Sequence, residues 1–160
     1  MNMIPKQDLI REFAFRTKFN LEYITANKKE NGPYEITQLI NSMMGLLVLP
    51  VEKYARYNRR ALNSDKRFLE IRGDYATIIA NSRSETLSGF LTFLRNSLSH
   101  GNIEFIGDRD IEAIKFWNYA YIDGKISKTV DWSININAVV LLRLVLLVSE
   151  HVEHHLSEGV

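Results

Sequence analysis

Along most of this chain, apolar residues recur at the three- and four-residue spacing that lines one face of a helix. From about Pro5 to Asn27, Leu9, Phe13, Phe15, Phe19 and Tyr23 supply apolar mass on one broad side. Pro5 suits a first helical turn, and Asp8 and Glu12 lie near the positive pole of the helix dipole. The polar run 28–33 then interrupts the pattern. From about Tyr34 to Leu49, Ile36, Leu39, Ile40, Met43, Met44, Leu46 and Leu47 cover most of the circumference, which predicts a deeply buried second helix. Met43-Met44-Gly45 suits a plain core segment, with a close-packing point as the alternative, and Pro50 ends or kinks the helix.

Further on, Gly73-Asp74 reads as a turn and N-cap ahead of Tyr75 to Ala80. Ser82 to Glu85 reads as a capping box that opens a central helix. There Leu87, Phe90, Leu91, Leu94 and Leu98 form one apolar stripe toward the core. A last helix, from about Asn135 to Leu156, is apolar almost all round between Val139 and Val148 apart from Arg143. Between these two helices the period changes. Ile103 to Ile106 is a short strand candidate, and Ile111 to Ile122 is rich in Ile, Phe, Trp and Tyr. Asp123-Gly124 signals a tight turn, after which Ile126, Val130, Trp132 and Ile134 roughly alternate. A small antiparallel hairpin or three-strand meander is expected, although 110–117 also suits a helix. The whole pattern predicts a mainly α fold in one domain, residues 1–160: a helical bundle with a small β-hairpin or meander between the central and C-terminal helices.

Composition narrows the chemistry. The 160 residues contain no cysteine, which removes thiol catalysis and Cys-based zinc sites. The net charge is only +1, so any nucleic-acid site must be local rather than a general basic coat. The start, Met1 to Lys6, lacks the layout of a secretory signal. The apolar run Ile134 to Val148, broken by Asn135, Asn137 and Arg143, is too short for a membrane span. A soluble, cytoplasmic protein with no membrane partner is expected. His151 and His155 stand one turn apart, but they lack a third ligand and suit a polar helix end, so neither a metal site nor a cofactor is expected.

The central helix carries two further stripes. Ser88, Thr92, Arg95 and Ser99 are polar; Gly89, Phe93, Asn96 and His100 lie on the side away from the core stripe. A solvated face has little use for a Gly and a Phe together, so something should pack there. A second copy of the helix would place Gly89 and Phe93 at a homodimer interface; another segment of the same chain would also serve.

The end of this helix, Arg95-Asn96-Ser97-Leu98-Ser99-His100, closed by Gly101, gathers a permanent cation, a carboxamide and an imidazole. Cleaving RNA without a metal requires a group to take the 2′-hydroxyl proton, charge to stabilise the phosphorus oxygens, and an acid for the leaving 5′-oxygen. His100 suits proton transfer near neutrality. Arg95 keeps its charge and its fork matches phosphate oxygens. Asn96 can position the phosphate or the imidazole. Ser99, together with Arg56, Arg59 and Arg60 in the basic stretch from Lys53 to Arg72, supplies candidate RNA contacts, with Tyr54 and Tyr57 interleaved. A plain solvated surface also accounts for that stretch. At 100° per residue, Arg95 and His100 lie about 140° apart on an ideal helix. One helix therefore aims them at one point only if the long Arg95 side chain bends round or the last turn unwinds. A two-fold dimer would bring two of each into a composite cleft.

The Arg-Asn-x-x-x-His run at a helix end resembles the Arg-x4-6-His signature of the HEPN (higher eukaryotes and prokaryotes nucleotide-binding) superfamily. The apolar helix after Tyr34, the His100-Gly101-Asn102-Ile103-Glu104-Phe105 continuation and the closing hydrophobic helix are similar to a prokaryotic HEPN subgroup in layout. The resemblance implies an HEPN-like helical bundle, metal-independent endoribonuclease activity through a 2′,3′-cyclic phosphate, and a homodimer with a composite site. It also implies a role as a toxin, with an antitoxin partner, or as an anti-phage defence effector. Some such toxins carry a Tyr two residues after the His, which a partner nucleotidyltransferase modifies; here Asn102 stands there, so that chemistry is not expected. Two other classes stay open: a non-catalytic RNA- or nucleotide-binding module, and a structural dimerisation protein.

Overall fold

The apolar periodicity builds helices close to where it recurs. A computed structural model describes residues 6–27, 35–46, 59–107 and 111–155. The helices are α1 (Lys6–Ala26), α2 (Glu35–Leu46), α3 (residues 59–64), α4 (Arg67–Gly73), α5 (Leu87–Ser99) and α6 (Ala138–His155), with a 3-10 turn at Ser82–Glu85. Four strands join them: β1 (Ala76–Ile79), β2 (Ile103–Ile106), β3 (Ala113–Ile122) and β4 (Lys125–Asn137). The chain divides into two compact units, one of residues 1–58 with 142–160, the other of residues 59–141.

In the first unit, α1 packs on α2. The buried positions among the described residues are Ala14, Thr17 and Leu21 on α1, Leu39, Ile40, Ser42 and Met43 on α2, and Leu144, Val145, Leu147, Val148, Ser149, His151 and Val152 on α6. On the apolar side of α1, Phe15, Phe19 and Tyr23 are exposed. A Cβ at Gly45 of α2 would strike the ring of Phe13, so the glycine admits that ring.

The second unit corrects the expected class. A bundle carrying a small hairpin does not describe it: the sheet has four strands in the order β1-β4-β3-β2, every neighbouring pair antiparallel. The molecule is helical with a substantial antiparallel sheet. Two physical reasons account for the difference. First, Asp74 is the C-cap of α4 rather than an N-cap for Tyr75–Ala80; Ala76–Ile79 is extended and pairs with β4, Thr77 opposite Ile134. That partner lies far along the chain, so local patterning carries no sign of it. Secondly, β3 and β4 are 10 and 13 residues long. Asp123 (φ 49°) and Gly124 (φ 76°) turn between Ile122 and Lys125 with positive φ at both positions, the geometry that matches strand twist in a two-residue hairpin.

One sheet face holds the core of this unit. Ile114 faces Ile136, Phe116 faces Ile134 and Asn118 faces Trp132 across β3 and β4. All six side chains are buried. The stripe Leu87, Phe90, Leu91, Leu94 and Leu98 of α5 is buried as expected. Phe90 meets Trp132 edge-on at 5.7 Å and stacks on Tyr75 at 5.1 Å. Each such fully buried apolar side chain contributes about 1.5–3 kcal/mol. The helix begins later than the Ser82–Glu85 capping box suggested. Asn81 caps the 3-10 turn by accepting from the Arg83 N–H, and Thr86 caps α5 by accepting from the Gly89 N–H at 3.3 Å. Asn63 on α3 accepts from the Ser88 N–H at 3.0 Å, satisfying another orphan donor of the first turn.

Candidate nucleic-acid site at the end of the central helix

The end of α5 is fixed from two sides. Gly101 adopts φ 67°, its N–H donates to the Leu98 carbonyl at 3.2 Å, and the Asn102 N–H donates to the Ser97 carbonyl at 2.8 Å. This paired closure satisfies the last carbonyls and leaves His100 as the C-cap residue, exposed at the helix end. From below, the amide of Asn118 on β3 donates to the Phe93 carbonyl at 2.7 Å and to the Ser97 hydroxyl at 3.0 Å. The Ser97 hydroxyl in turn lies 2.8 Å from the Trp117 carbonyl. A buried polar clamp thus holds the last turns of α5 against β3, where net stabilisation comes from leaving no group unpaired.

Above the clamp a cleft of about 940 Å³ opens within this unit. One wall is the third stripe of α5: Gly89, Phe93, Asn96 and His100 all line it. Arg59 of α3 lines it too. Arg95 does not, but its Nη2 donates to Asn96 Oδ1 at 2.8 Å, so the guanidinium bends round the helix to the residue that does. The helix keeps its last turn, and the Arg95 side chain turns toward Asn96 rather than lining the cleft with His100. Arg60 and Ser99 are exposed but do not line the cleft, and Arg56 lies outside the described residues.

Gly89 and Phe93 are covered by their own chain. A Cβ on Gly89 would fall on the Arg83 carbonyl of the 3-10 turn. Phe93 is 6% exposed, with its ring 5.1 Å from Trp132 and the Arg83 guanidinium 5.5 Å above it. The packing need that pointed to a second copy is met at these two positions by the 3-10 turn and β4.

Several lining residues escaped the sequence. In the sequence Arg83 falls inside an apparent capping box, and Asn102 stands out only for its place after the histidine. Tyr119, Tyr121 and Asp131 come from β3 and β4, where no periodicity marks a site. Asp131 occupies an extra position in β4, since Asn118 pairs with Trp132 while Tyr119 pairs with Val130. Such bulges re-aim side chains. Its Oδ2 accepts from the Asn81 amide at 3.3 Å, and its Oδ1 is buried without a hydrogen-bond partner. Among the described residues, no three His, Asp or Glu side chains form a group able to hold a metal, and no helix is long and apolar enough to cross a membrane.

Asn96 and His100 thus line one cleft at the capped end of α5, with the Arg95 guanidinium bonded to Asn96. The family model described as HEPN pEK499 p136 matches residues 1–155, and the chain belongs to that family. No curated protein and no solved structure matches it.

Proposed function

We propose that this protein is an endoribonuclease that needs no metal. One observation carries the reading: Asn96 and His100 open one turn apart into the same cleft, with the Arg95 guanidinium hydrogen-bonded to Asn96. HEPN membership supports a nucleotide- or RNA-directed role. In the proposed reaction, the neutral His100 imidazole takes the proton of a ribose 2′-hydroxyl. The 2′-oxygen attacks the adjacent phosphorus, and the bond to the 5′-oxygen breaks. Arg95 faces the phosphoryl oxygens where charge builds, and Asn96 holds that guanidinium and the phosphate in register. The leaving 5′-oxygen takes a proton from a second acid, a role that His100 of a second copy fills in a two-copy cleft. The products are a 2′,3′-cyclic phosphate and a 5′-hydroxyl. Acting on cellular RNA, such an enzyme fits a toxin or anti-phage effector, paired with an antitoxin in the first case.

Purified protein should cleave RNA in excess EDTA and leave cyclic-phosphate ends. His100→Ala and Arg95→Ala should each lower the rate about 10²–10⁴-fold, the range for losing an acid–base group or a charge stabiliser. Equal cleavage by all three proteins would place the activity elsewhere. One feature favours binding without catalysis: the His100 side chain makes no hydrogen bond among the described residues, so nothing there fixes its tautomer. Retained RNA binding with no cleavage by any of the three would support that second reading.

A further inference from the structure

Helix α1 keeps three large rings on the side that the first unit leaves bare. Ala14, Thr17 and Leu21 are buried, whereas Phe15, Phe19 and Tyr23 are 55%, 60% and 63% exposed. At 100° per residue the two sets centre about 165° apart, so the aromatic row points away from the core. Residues four apart are neighbours on a helix, so the three rings form one continuous ridge. An exposed ridge of this kind marks a contact.

The symmetry of the row names its occupant. Phe15 and Tyr23 stand four residues to either side of Phe19, so the row reads the same in both directions. An antiparallel second α1, with its two-fold axis at Phe19, sets Phe19 against Phe19 and each Phe15 against Tyr23 of the other copy. Such an axis also places like flanks of the two helices face to face. Lys18 and Glu22 share one flank, which then runs Glu22, Lys18, Lys18, Glu22 along the pair. It is neutral, and each lysine stands beside a carboxylate of the other copy. On the other flank Arg16 comes level with Tyr23 of the second copy, where a guanidinium gains from a ring face.

The area suits a dimer. An aromatic side chain buries about 150–250 Å². At the exposures above, six of them remove roughly 530–890 Å² from water. Apolar atoms supply about 56–65% of an interface, so the whole contact comes to roughly 800–1,600 Å², from the weak to the standard class. A polyanion or an acidic membrane fits less well, because Arg11, Arg16 and Lys18 are set against Glu12 and Glu22 around the row.

We infer that two copies of this chain pair through α1, antiparallel about Phe19. The pairing goes beyond the nuclease reading and does not depend on it.

The chain has no cysteine, so single cysteines introduced into the full-length protein report the geometry under mild oxidation. Phe19→Cys should link to itself. Phe15→Cys and Tyr23→Cys should each stay unlinked alone, because in either case the two copies of the position lie about 12 Å apart along the helices. Mixed together, those two should link. Wild type should sediment as a dimer that dissociates on dilution. Phe19→Glu, which sets two carboxylates on the axis, should sediment as a single chain with an unchanged helix signal in circular dichroism. Arg95→Ala and His100→Ala should sediment as wild type does, so loss of cleavage and loss of pairing are read separately. The pairing is overturned if wild type is a single chain at every concentration, or if Phe19→Glu still dimerises. It is also overturned if Phe15→Cys links to itself as readily as Phe19→Cys, the result for parallel helices or random collision. A single-chain wild type with Phe19→Glu losing helix signal would assign the row to another segment of the same chain. A single-chain wild type that binds anionic lipid vesicles through Phe19 would assign it to a membrane surface, and either result sinks the dimer.

Discussion

At the scale of single residues, the glycines show how much a side chain's absence can carry. Gly101 was readable from the sequence, because a Gly after a well-patterned helix is the usual left-handed closure, and it takes φ 67°. Gly89 was readable only in part. Its position beside Phe93 showed that something must approach, but not what. The answer is the Arg83 carbonyl, brought there by a 3-10 turn that local patterning disguised as a capping box. Gly89→Ala forces a Cβ onto backbone, so the turn carrying Arg83 must shift. Overpacking of this kind costs about 1–3 kcal/mol. Gly73, where a Cβ meets nothing within 4 Å, is the control. A urea midpoint lowered in Gly89→Ala and held in Gly73→Ala is the expected result; equal midpoints would show that the 3-10 turn yields freely. Arg95 illustrates the same partial legibility. A helical wheel points it away from His100, and only the structure shows that its guanidinium is bonded to Asn96.

At the scale of elements, α5 and the sheet beneath it are locked by aromatic contact and by the clamp of Ser97 and Asn118. The apolar stripe of α5 was legible because its period is that of a helix and its partners are interchangeable apolar residues. Asn118 was not, since an asparagine in an apolar strand gives no hint that its amide meets the Phe93 carbonyl. Tyr75 is a third case. Its ring stacks on Phe90, and burial pushes its phenol up to about 12, partly opposed by the nearby Arg72 charge. A raised acid favours the protonated native form. Below pH 10 the phenol is neutral in both states; as pH climbs from 10.0 toward about 12, the unfolded chain loses its proton first and stability falls. Tyr75→Phe keeps the stack and removes the titration. Denaturation across that interval should therefore show a smaller alkaline loss in the variant than in wild type. Identical losses would mean that other groups govern the alkaline limit.

At the scale of the whole molecule, α1, α2 and α6 were placed within a few residues, α5 begins later than its apparent capping box, α3 and α4 in the basic stretch were not expected as helices, and the sheet was underestimated. Helix faces repeat locally, but the pairing of β1 with the far end of β4 joins segments more than fifty positions apart, as Thr77 and Ile134 show. The same limit applies to assembly. With Gly89 and Phe93 covered from within, a second copy is no longer needed to explain the third stripe. What still argues for a composite cleft is chemistry: in the proposed reaction, one imidazole cannot both take the 2′-hydroxyl proton and supply the leaving oxygen in the same step. Mixing Arg95→Ala with His100→Ala separates the cases. If two copies share a cleft, subunit exchange yields mixed dimers holding one intact Arg95 and one intact His100, and metal-free cleavage should reappear in the mixture though neither variant cleaves alone. If each chain is complete, its own Arg95, held by its own Asn96, serves its own His100, and the mixture stays as inactive as its components. Sedimentation of the wild type as a single chain together with that second result would remove the composite cleft and leave the proton for the leaving oxygen to a group within one chain.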